Sequence, residues 1–200
     1  MKEVALLNTG VANIASVRAA LLRLDVAVRF VEDASSVVDA DALVFPGVGA
    51  FGAGMERLRQ DGLARALQTR FAAGAPTLAI CLGLQLLFEA SEESPGVDGL
   101  GIVDGTIRRF PRDVRTPQFG WNSVEAAPES RYLTDGHAYF ANSYACVEPP
   151  DGWAASTSTH GVPFVAAMEK GRLLACQFHP EISGPWGQEI LRRWLFDEEA

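Results

Sequence analysis

The chain has 200 residues, 48% of them hydrophobic, so it is long enough to bury one substantial core. Its net charge of −8 argues against a nucleic-acid-binding surface, which requires a basic patch. No stretch approaches the roughly 20 apolar residues of a membrane span. We therefore expect residues 1–200 to form one domain of a soluble, cytoplasmic protein without a signal peptide.

The first half of the chain alternates apolar runs with segments of helical periodicity. Strands are predicted at residues 4–7, 27–31, 42–45 and 76–80. Helices are predicted from Ile14 to Leu24, from Leu58 to Phe71 with an interruption near Gly62, and over residues 84–89. This alternation is typical of a parallel sheet that helices cover on both faces.

The second half shows short apolar runs separated by turns. Residues 164–168 and 173–178 flank a polar turn and predict a hairpin. A closing amphipathic helix is predicted from apolar residues at helical spacing, namely Trp186, Ile190, Leu191, Trp194 and Leu195. The predicted fold class is α/β, with a mostly parallel central sheet, flanking helices and extra antiparallel strands in the second half.

Cys81 follows the fourth apolar run and lies between two small residues, Ala79 and Gly83. This pattern resembles the strand–turn–helix elbow G-x-S-x-G, in which a tight turn exposes a nucleophile, with sulfur in place of oxygen. The helix predicted after it places Cys81 at a helix N-terminus, where partial positive charge favours a thiolate. Because free cysteines are often simply buried, Cys81 alone would be assigned a structural role.

His179 and Glu181 follow another apolar run and stand two residues apart. Side chains two apart on an extended chain point to the same side, and Pro180 disfavours helix at His179. We expect Glu181 to orient His179 so that it takes a proton from Cys81. A nucleophile, a base and an orienting acid, each just after a strand, predict a thiol-based acyl-transfer site.

A glycine-rich turn, residues 46–52, follows the third predicted strand. Its glycines allow the backbone to turn sharply and to approach a ligand closely. Such segments are more often only turns, and this one lacks the lysine of a phosphate-binding loop. Because it also lies at a strand end, we predict that amides of Val48, Gly49 and Leu82 hold the oxyanion of a tetrahedral intermediate.

Cysteine spacing and local charge give two further expectations. Cys81, Cys146 and Cys176 lack the spacing of a zinc site and cannot all pair, which fits a reducing compartment. We expect no metal and no cofactor. A basic cluster stands out in this acidic chain and is either a solvated loop or a docking surface. It consists of Arg108, Arg109, Arg112 and Arg115.

The segments 81–85 and 179–181 closely resemble the signatures of the class I glutamine amidotransferases, whose catalytic residues occur in the order Cys, His, Glu. Within that family the chain is similar to the glutaminase subunits of imidazole glycerol phosphate synthase. The segments that carry this closer similarity are residues 13–17, 46–49, 120–122 and 139–144. The resemblance extends over essentially all 200 residues and implies a flavodoxin-like fold.

This resemblance implies that Cys81, His179 and Glu181 hydrolyse L-glutamine to glutamate and ammonia. Residues near the nucleophile are then expected to hold the amino-acid part of the substrate. They are Gly49, Gln85, Ser143 and Tyr144.

The resemblance also implies a partner, because ammonia released into water would be protonated and lost as a nucleophile. The implied partner is a (β/α)₈-barrel cyclase that forms a heterodimer with this chain and makes imidazole glycerol phosphate and aminoimidazole carboxamide ribotide. Asn13, Trp121 and Asn122 are assigned to the interface with it. Neither nucleic acid nor membrane is expected as a partner.

Three alternatives stay open at this point. The first is a glutaminase that serves another synthase, such as one for anthranilate, aminodeoxychorismate or pyridoxal phosphate. The second is a thiol hydrolase that acts alone on γ-glutamyl peptides. The third is a non-catalytic protein on the same fold, which the intact Cys, His and Glu set argues against.

Overall fold

The computed structural model describes residues 2–8 and 14–197. The strands formed within these residues are β1 Glu3–Leu7, β2 Ala27–Val31, β3 Leu43–Gly47, β4 Thr77–Cys81, β5 Phe88–Ser91, β6 Val103–Arg109, β7 Gln118–Val124, β8 Gly136–Asn142, β9 Tyr144–Ala145, β10 Ala154–His160, β11 Val162–Lys170 and β12 Leu173–Cys176. The helices are α1 Ile14–Leu22, α2 Ala34–Asp39, α3 Phe51–Gln60, α4 Leu63–Ala72, α5 Leu82–Leu86 and α6 Gly184–Leu195. A 3₁₀ turn spans Pro180–Ile182.

The central sheet has seven strands in the order β10-β11-β12-β4-β3-β1-β2. From β12 to β2 in this order, all neighbouring strands pair in parallel. Strand β11 pairs antiparallel with both β10 and β12. Strand β4 is buried at every position, as expected for a strand that helices cover on both faces. The predicted hairpin is formed by β11 and β12.

Two apolar clusters fill the two faces of this sheet. One joins α1 and α6 to strands of the second half and includes Trp194, which is fully buried. The other contains side chains of helices α2, α3, α4 and α5, and it includes Phe45, Phe51 and Leu67. Trp186 is only partly buried, although its spacing predicted a core position. The α/β fold class predicted from the sequence is confirmed.

The helix predicted over residues 84–89 is wrong in its second half. Helix α5 ends at Leu86, and the chain continues into β5, which pairs in parallel with β6. Phe88 is buried in the second cluster, and the Phe88 carbonyl accepts from the amide of Gly101. Burial and pairing therefore outweigh the local helix propensity of this segment.

Strand β3 also extends two residues further than the apolar run predicted, to Gly47, although Pro46 has no amide to donate. A separate pair of strands, β7 and β8, packs beside the main sheet with Gln118 opposite Asn142. This pair forms one wall of the site described below.

Candidate active site

Three neighbouring parallel strands bring the predicted site residues to one edge of the sheet. Gly47, the last residue of β3, is the register partner of Cys81, the last residue of β4. On the other side of β4, Cys176 of β12 is paired with Ile80, and the chain reaches His179 three residues later. In an open α/β sheet this carboxyl edge is where ligands bind.

The backbone at Cys81 has the strained form of an elbow. Its φ of 55° and ψ of −109° lie in a region that non-glycine residues rarely adopt. Small neighbours permit the turn, because a Cβ on Gly83 would overlap the carbonyl oxygen of Phe45. A Cβ on Gly47 would lie 2.9 Å from the Cβ of Leu82. The small-residue pattern around the cysteine thus reflects close packing of β3 on the start of α5.

His179 and Glu181 are in direct contact, with 2.8 Å between Nδ1 and Oε1. The prediction that an extended backbone brings them together is only half right. His179 is extended, but Glu181 lies in a 3₁₀ turn that begins at Pro180, since proline suits the first position of a helical turn. The Ser183 hydroxyl donates to the carbonyl of His179 at 2.7 Å and closes the turn.

The charge state of His179 follows from its surroundings. Burial lowers its pKa, but hydrogen bonds to Cys81 and Glu181, together with the negative charges of both, outweigh burial and raise the pKa well above 6.5. His179 therefore holds a proton readily next to the sulfur. The side chains of His179 and Glu181 are both largely buried, which strengthens these electrostatic effects.

Cys81 and His179 border a cavity of about 360 Å³, a size suited to a small ligand. Its lining includes the residues predicted for the oxyanion hole and for substrate binding, which are Val48, Gly49, Leu82, Gln85, Ser143 and Tyr144. Gly49 has a φ of 103°, a conformation that favours glycine, and a Cβ there would meet no atom within 4 Å. The predicted residues therefore surround one cavity.

Glu93, which was not predicted from the sequence as a site residue, lines the same cavity. Its Oε2 accepts from the amide of Phe51 at 2.7 Å, at the start of α3. The Ser94 hydroxyl accepts from the next amide, that of Gly52, at 3.0 Å. Glu93 thus ties the glycine-rich loop to the segment after β5. Nothing in the sequence marks it, because the contact joins residues 42 positions apart.

The predicted interface residue Trp121 lies on the open surface beside this cavity. It is 59% exposed and packs edge-on against Tyr139, with ring centroids 6.3 Å apart. Asn122 donates from Nδ2 to the carbonyl of Thr159 at 2.8 Å. Asn13 lies outside the described residues. Phe119, which the sequence reasoning missed, is 71% exposed and lines the cavity itself.

The arginine cluster divides between two environments. Arg115 lines a neighbouring cavity of about 580 Å³ together with Trp121. Arg108 lies 3.8 Å from a carboxylate oxygen of Glu92 and 4.0 Å from one of Glu148. The cluster is therefore not one uniform basic patch.

Within residues 2–8 and 14–197, no group of three or more His, Cys, Asp or Glu side chains is arranged to hold a metal ion. No helix in the same part of the chain is long and apolar enough to cross a membrane.

Comparison with known proteins gives a consistent result. Residues 5–197 match the family Glutamine amidotransferase class-I. The imidazole glycerol phosphate synthase subunit HisH of Lactococcus lactis subsp. lactis (strain IL1403) is 38% identical over 199 residues, covering 98% of both chains. The chloroplastic imidazole glycerol phosphate synthase hisHF of Arabidopsis thaliana is 40% identical over 199 residues, which is 96% of this chain but 34% of that protein. A crystal structure of a glutamine amidotransferase superimposes with a TM-score of 0.75 at 19% identity, covering 96% of each chain.

The fold, the Cys–His–Glu site and the matched family together show that the chain belongs to the class I glutamine amidotransferases. Within that class it belongs to the family of HisH subunits of imidazole glycerol phosphate synthase. The resemblance drawn from the sequence is confirmed at both levels.

Proposed function

We propose that this chain is a glutaminase that hydrolyses L-glutamine and passes the ammonia to a docked synthase subunit. The observation that carries the proposal is that Cys81 and His179 line one cavity, with Glu181 2.8 Å from the far side of the His179 ring. This is the geometry of an activated thiol nucleophile, its base and the group that orients the base. Membership of the HisH family supports the same function.

In the proposed first step, the sulfur of Cys81 attacks the side-chain amide carbon of glutamine. The carbonyl oxygen becomes negatively charged, and amides of Val48, Gly49 and Leu82 donate to it. His179 then gives its proton to the amide nitrogen, the carbon–nitrogen bond breaks, and ammonia leaves. The product is a γ-glutamyl thioester on Cys81.

In the second step, His179 takes a proton from water as the water oxygen attacks the thioester carbon. A second tetrahedral intermediate forms at the same oxyanion site and collapses, which expels the sulfur and releases glutamate. Glu181 keeps His179 oriented through both steps and stabilises its protonated form.

The cavity also supplies groups for the amino-acid end of glutamine. We assign Gln85, Ser143 and Tyr144 to this end, as the family resemblance implies. Glu93 is a carboxylate in the lining, and the α-ammonium is the cationic group of the substrate, so we assign Glu93 to it.

The surface around the cavity supports a docked partner. Val48, Phe119, Trp121 and Ile182 are all large hydrophobic side chains with at least a third of their surface exposed. Val48 and Phe119 line the cavity, and Ile182 follows the triad residue Glu181. Exposed aromatic side chains are enriched at binding hot spots.

We propose that this surface binds a (β/α)₈-barrel cyclase, which takes the ammonia directly from the cavity. The Arabidopsis relative, whose name joins hisH and hisF in one protein, supports this pairing, since the chain matches about a third of it.

The test of the function is glutamate release by the chain mixed with a cyclase subunit, compared with the same mixture containing Cys81→Ala. Glutamate formation that depends on Cys81 and on the cyclase is expected. Equal activity without any cyclase would favour a stand-alone hydrolase. Activity that responds only to a different synthase subunit would assign the chain to that synthase.

A further inference from the structure

A glutamine that the proposed mechanism does not use makes contact with the nucleophile. Gln177 is fully buried at the end of β12, one residue after Cys176. Its Nε2 donates to the sulfur of Cys81 at 3.8 Å. Its backbone amide donates to the carbonyl of Ala166 at 2.8 Å, which fixes the residue against β11.

The direction of this hydrogen bond is fixed by a chain of contacts that begins at a backbone carbonyl. The carbonyl of Tyr144 can only accept, so the amide group of Gln85 must direct its nitrogen there, at 3.0 Å. The second N–H of that nitrogen donates to Oε1 of Gln177 at 2.9 Å. With its oxygen facing Gln85, Gln177 has its nitrogen toward Cys81.

The same carbonyl of Tyr144 also accepts from Nδ2 of Asn142 at 3.0 Å. It is therefore an acceptor for two side-chain amides, and reversing either amide would place two oxygens in contact. The chain from Tyr144 through Gln85 to Gln177 thus holds one orientation.

We propose that Gln177 is a further catalytic residue, which donates an N–H to the sulfur of Cys81 whenever that sulfur is negatively charged, with Gln85 as the positioning residue that aims it. The contact does not depend on the substrate, but the catalytic role rests on the proposed glutaminase function.

The charge on sulfur changes twice in the reaction. The sulfur is anionic before the attack, neutral in the thioester, and anionic again when water has displaced it. A neutral donor buried beside the sulfur favours the anionic states over the protonated thiol. A hydrogen bond to a charged group changes an equilibrium constant by roughly 10- to 100-fold.

A test of this contact must leave the other titratable groups near Cys81 unchanged. His179 and Glu181 lie on the segment after β12, Glu93 and Tyr144 line the same cavity, and Cys176 precedes Gln177 in the chain. Substitution of Gln177 by an uncharged residue leaves all of these in place and adds no titratable group. A changed titration of the sulfur in such a variant is therefore caused by the lost donor.

The experiment measures the rate at which iodoacetamide alkylates Cys81 across the pH range, with peptide mass spectrometry to identify the labelled cysteine. Gln177→Met keeps the shape and removes the amide. Gln177→Glu keeps an oxygen toward Gln85, removes the donor and adds a carboxylate beside the sulfur. The matched control is Gln68→Met, at an exposed glutamine whose Nε2 donates to the carbonyl of Leu100.

We expect the midpoint pH of Cys81 alkylation to rise by about one unit in Gln177→Met, which is a tenfold change in the thiolate fraction. The rise should be larger in Gln177→Glu, because a carboxylate next to the sulfur disfavours the thiolate. The midpoint should not move in Gln68→Met. Glutaminase kcat should fall about 10-fold or more in both Gln177 variants, with KM little changed.

An unchanged midpoint in both Gln177 variants, with normal thermal unfolding, would overturn the proposal and show that Gln177 only fills space. If Gln177→Met does not fold, Gln177→Leu, which also removes the amide without adding charge, decides the question. If the Gln177 variants shift the midpoint but the unmodified chain has no glutaminase activity, the proposed function is overturned and the Gln177–Cys81 contact stands.

Discussion

Gly47 and Cys81 are register partners at the last positions of two neighbouring parallel strands. The pairing places the glycine-rich loop after β3 directly beside the nucleophile at the end of β4. A Cβ on Gly47 would lie within 3.0 Å of the backbone nitrogen of Gly83, so the two strand ends are in close contact. The position of the proposed oxyanion amides relative to the sulfur is therefore set by the sheet itself.

The first prediction concerns the identity of the nucleophile. A glutamine-analogue diazo-ketone should label Cys81, and Cys81→Ala should abolish glutaminase activity while partner binding is retained. Burial raises the pKa of Cys146 to about 11 and that of Cys176 well above its usual range, so neither should react. Labelling of either one by the analogue would remove the basis of the assignment.

The triad should also behave as a unit. We expect His179→Ala to lower kcat nearly as far as Cys81→Ala, and addition of Glu181→Ala to His179→Ala to cost little more. Single-turnover glutamate release by the complex measures this. Additive losses in the double variant would show that Glu181 acts independently of His179.

The second prediction is a pH dependence. Because the pKa of His179 lies above 6.5, its protonated form persists as the pH rises through 6.5, and kcat/KM should stay level through neutral pH. Glu181→Gln removes a negative charge next to the imidazole. The pH at which kcat/KM falls on the alkaline side, the alkaline limb of the profile, should therefore move down by about one to two units. A wild-type limb near 6.5, or a shift to higher pH in the variant, would contradict this account.

The third prediction concerns packing at the elbow. Gly83→Ala places a Cβ against the carbonyl oxygen of Phe45, and we expect a loss of about 1–3 kcal/mol in the free energy of unfolding, with lowered kcat. The matched control is Gly74→Ala, whose Cβ would meet no atom within 4 Å and whose cost, about 1 kcal/mol, comes only from its positive φ. Denaturant unfolding compares the two. Equal losses would show that the contact with Phe45 is unimportant.

The fourth prediction concerns the partner surface. Trp121→Ala should weaken binding of the cyclase by at least about 2 kcal/mol, or uncouple glutamine hydrolysis from cyclisation, because exposed aromatic anchors dominate many interfaces. Phe30→Ala is the control, at an aromatic side chain that is 47% exposed on β2. Calorimetric titration with the cyclase measures both. Equal binding by the two variants, with coupling intact, would place the interface elsewhere.

The parts of the site that are local in sequence could be predicted from it. The small residues around Cys81 indicate the elbow, and the His179–Glu181 spacing indicates the base and its orienting group. Both depend on short segments and on the apolar strands before them. Because carboxyl ends of parallel strands meet at one edge, these segments could be placed together without any coordinates.

The parts that depend on long-range contacts could not be predicted. Glu93 reaches the cavity because β5 replaces the second half of a predicted helix, and that change depends on the burial of Phe88 and on pairing with β6. Gln177 contacts Cys81 across 96 positions of the chain. Neither residue carries a local pattern that distinguishes it from other Glu and Gln residues.

We propose that the loop after β3 is a means of regulation. Gly49 has a φ that favours glycine, and a peptide next to a glycine reverses at little steric cost. If its carbonyl faces the cavity in the lone chain, an oxyanion donor is missing, which costs about 10²–10³ in rate. Partner binding would then favour the orientation with the N–H toward the cavity.

The central claim is that this chain hydrolyses glutamine for a docked synthase and is nearly inactive alone. Its most direct test is steady-state glutaminase kinetics in three states: the lone chain, its complex with the cyclase, and that complex with the cyclase's own substrate bound. We predict low kcat for the lone chain and a rise of about 10²–10³ in kcat in the loaded complex, with little change in KM. Full activity of the lone chain, or no glutamate release in any of the three, would contradict the claim.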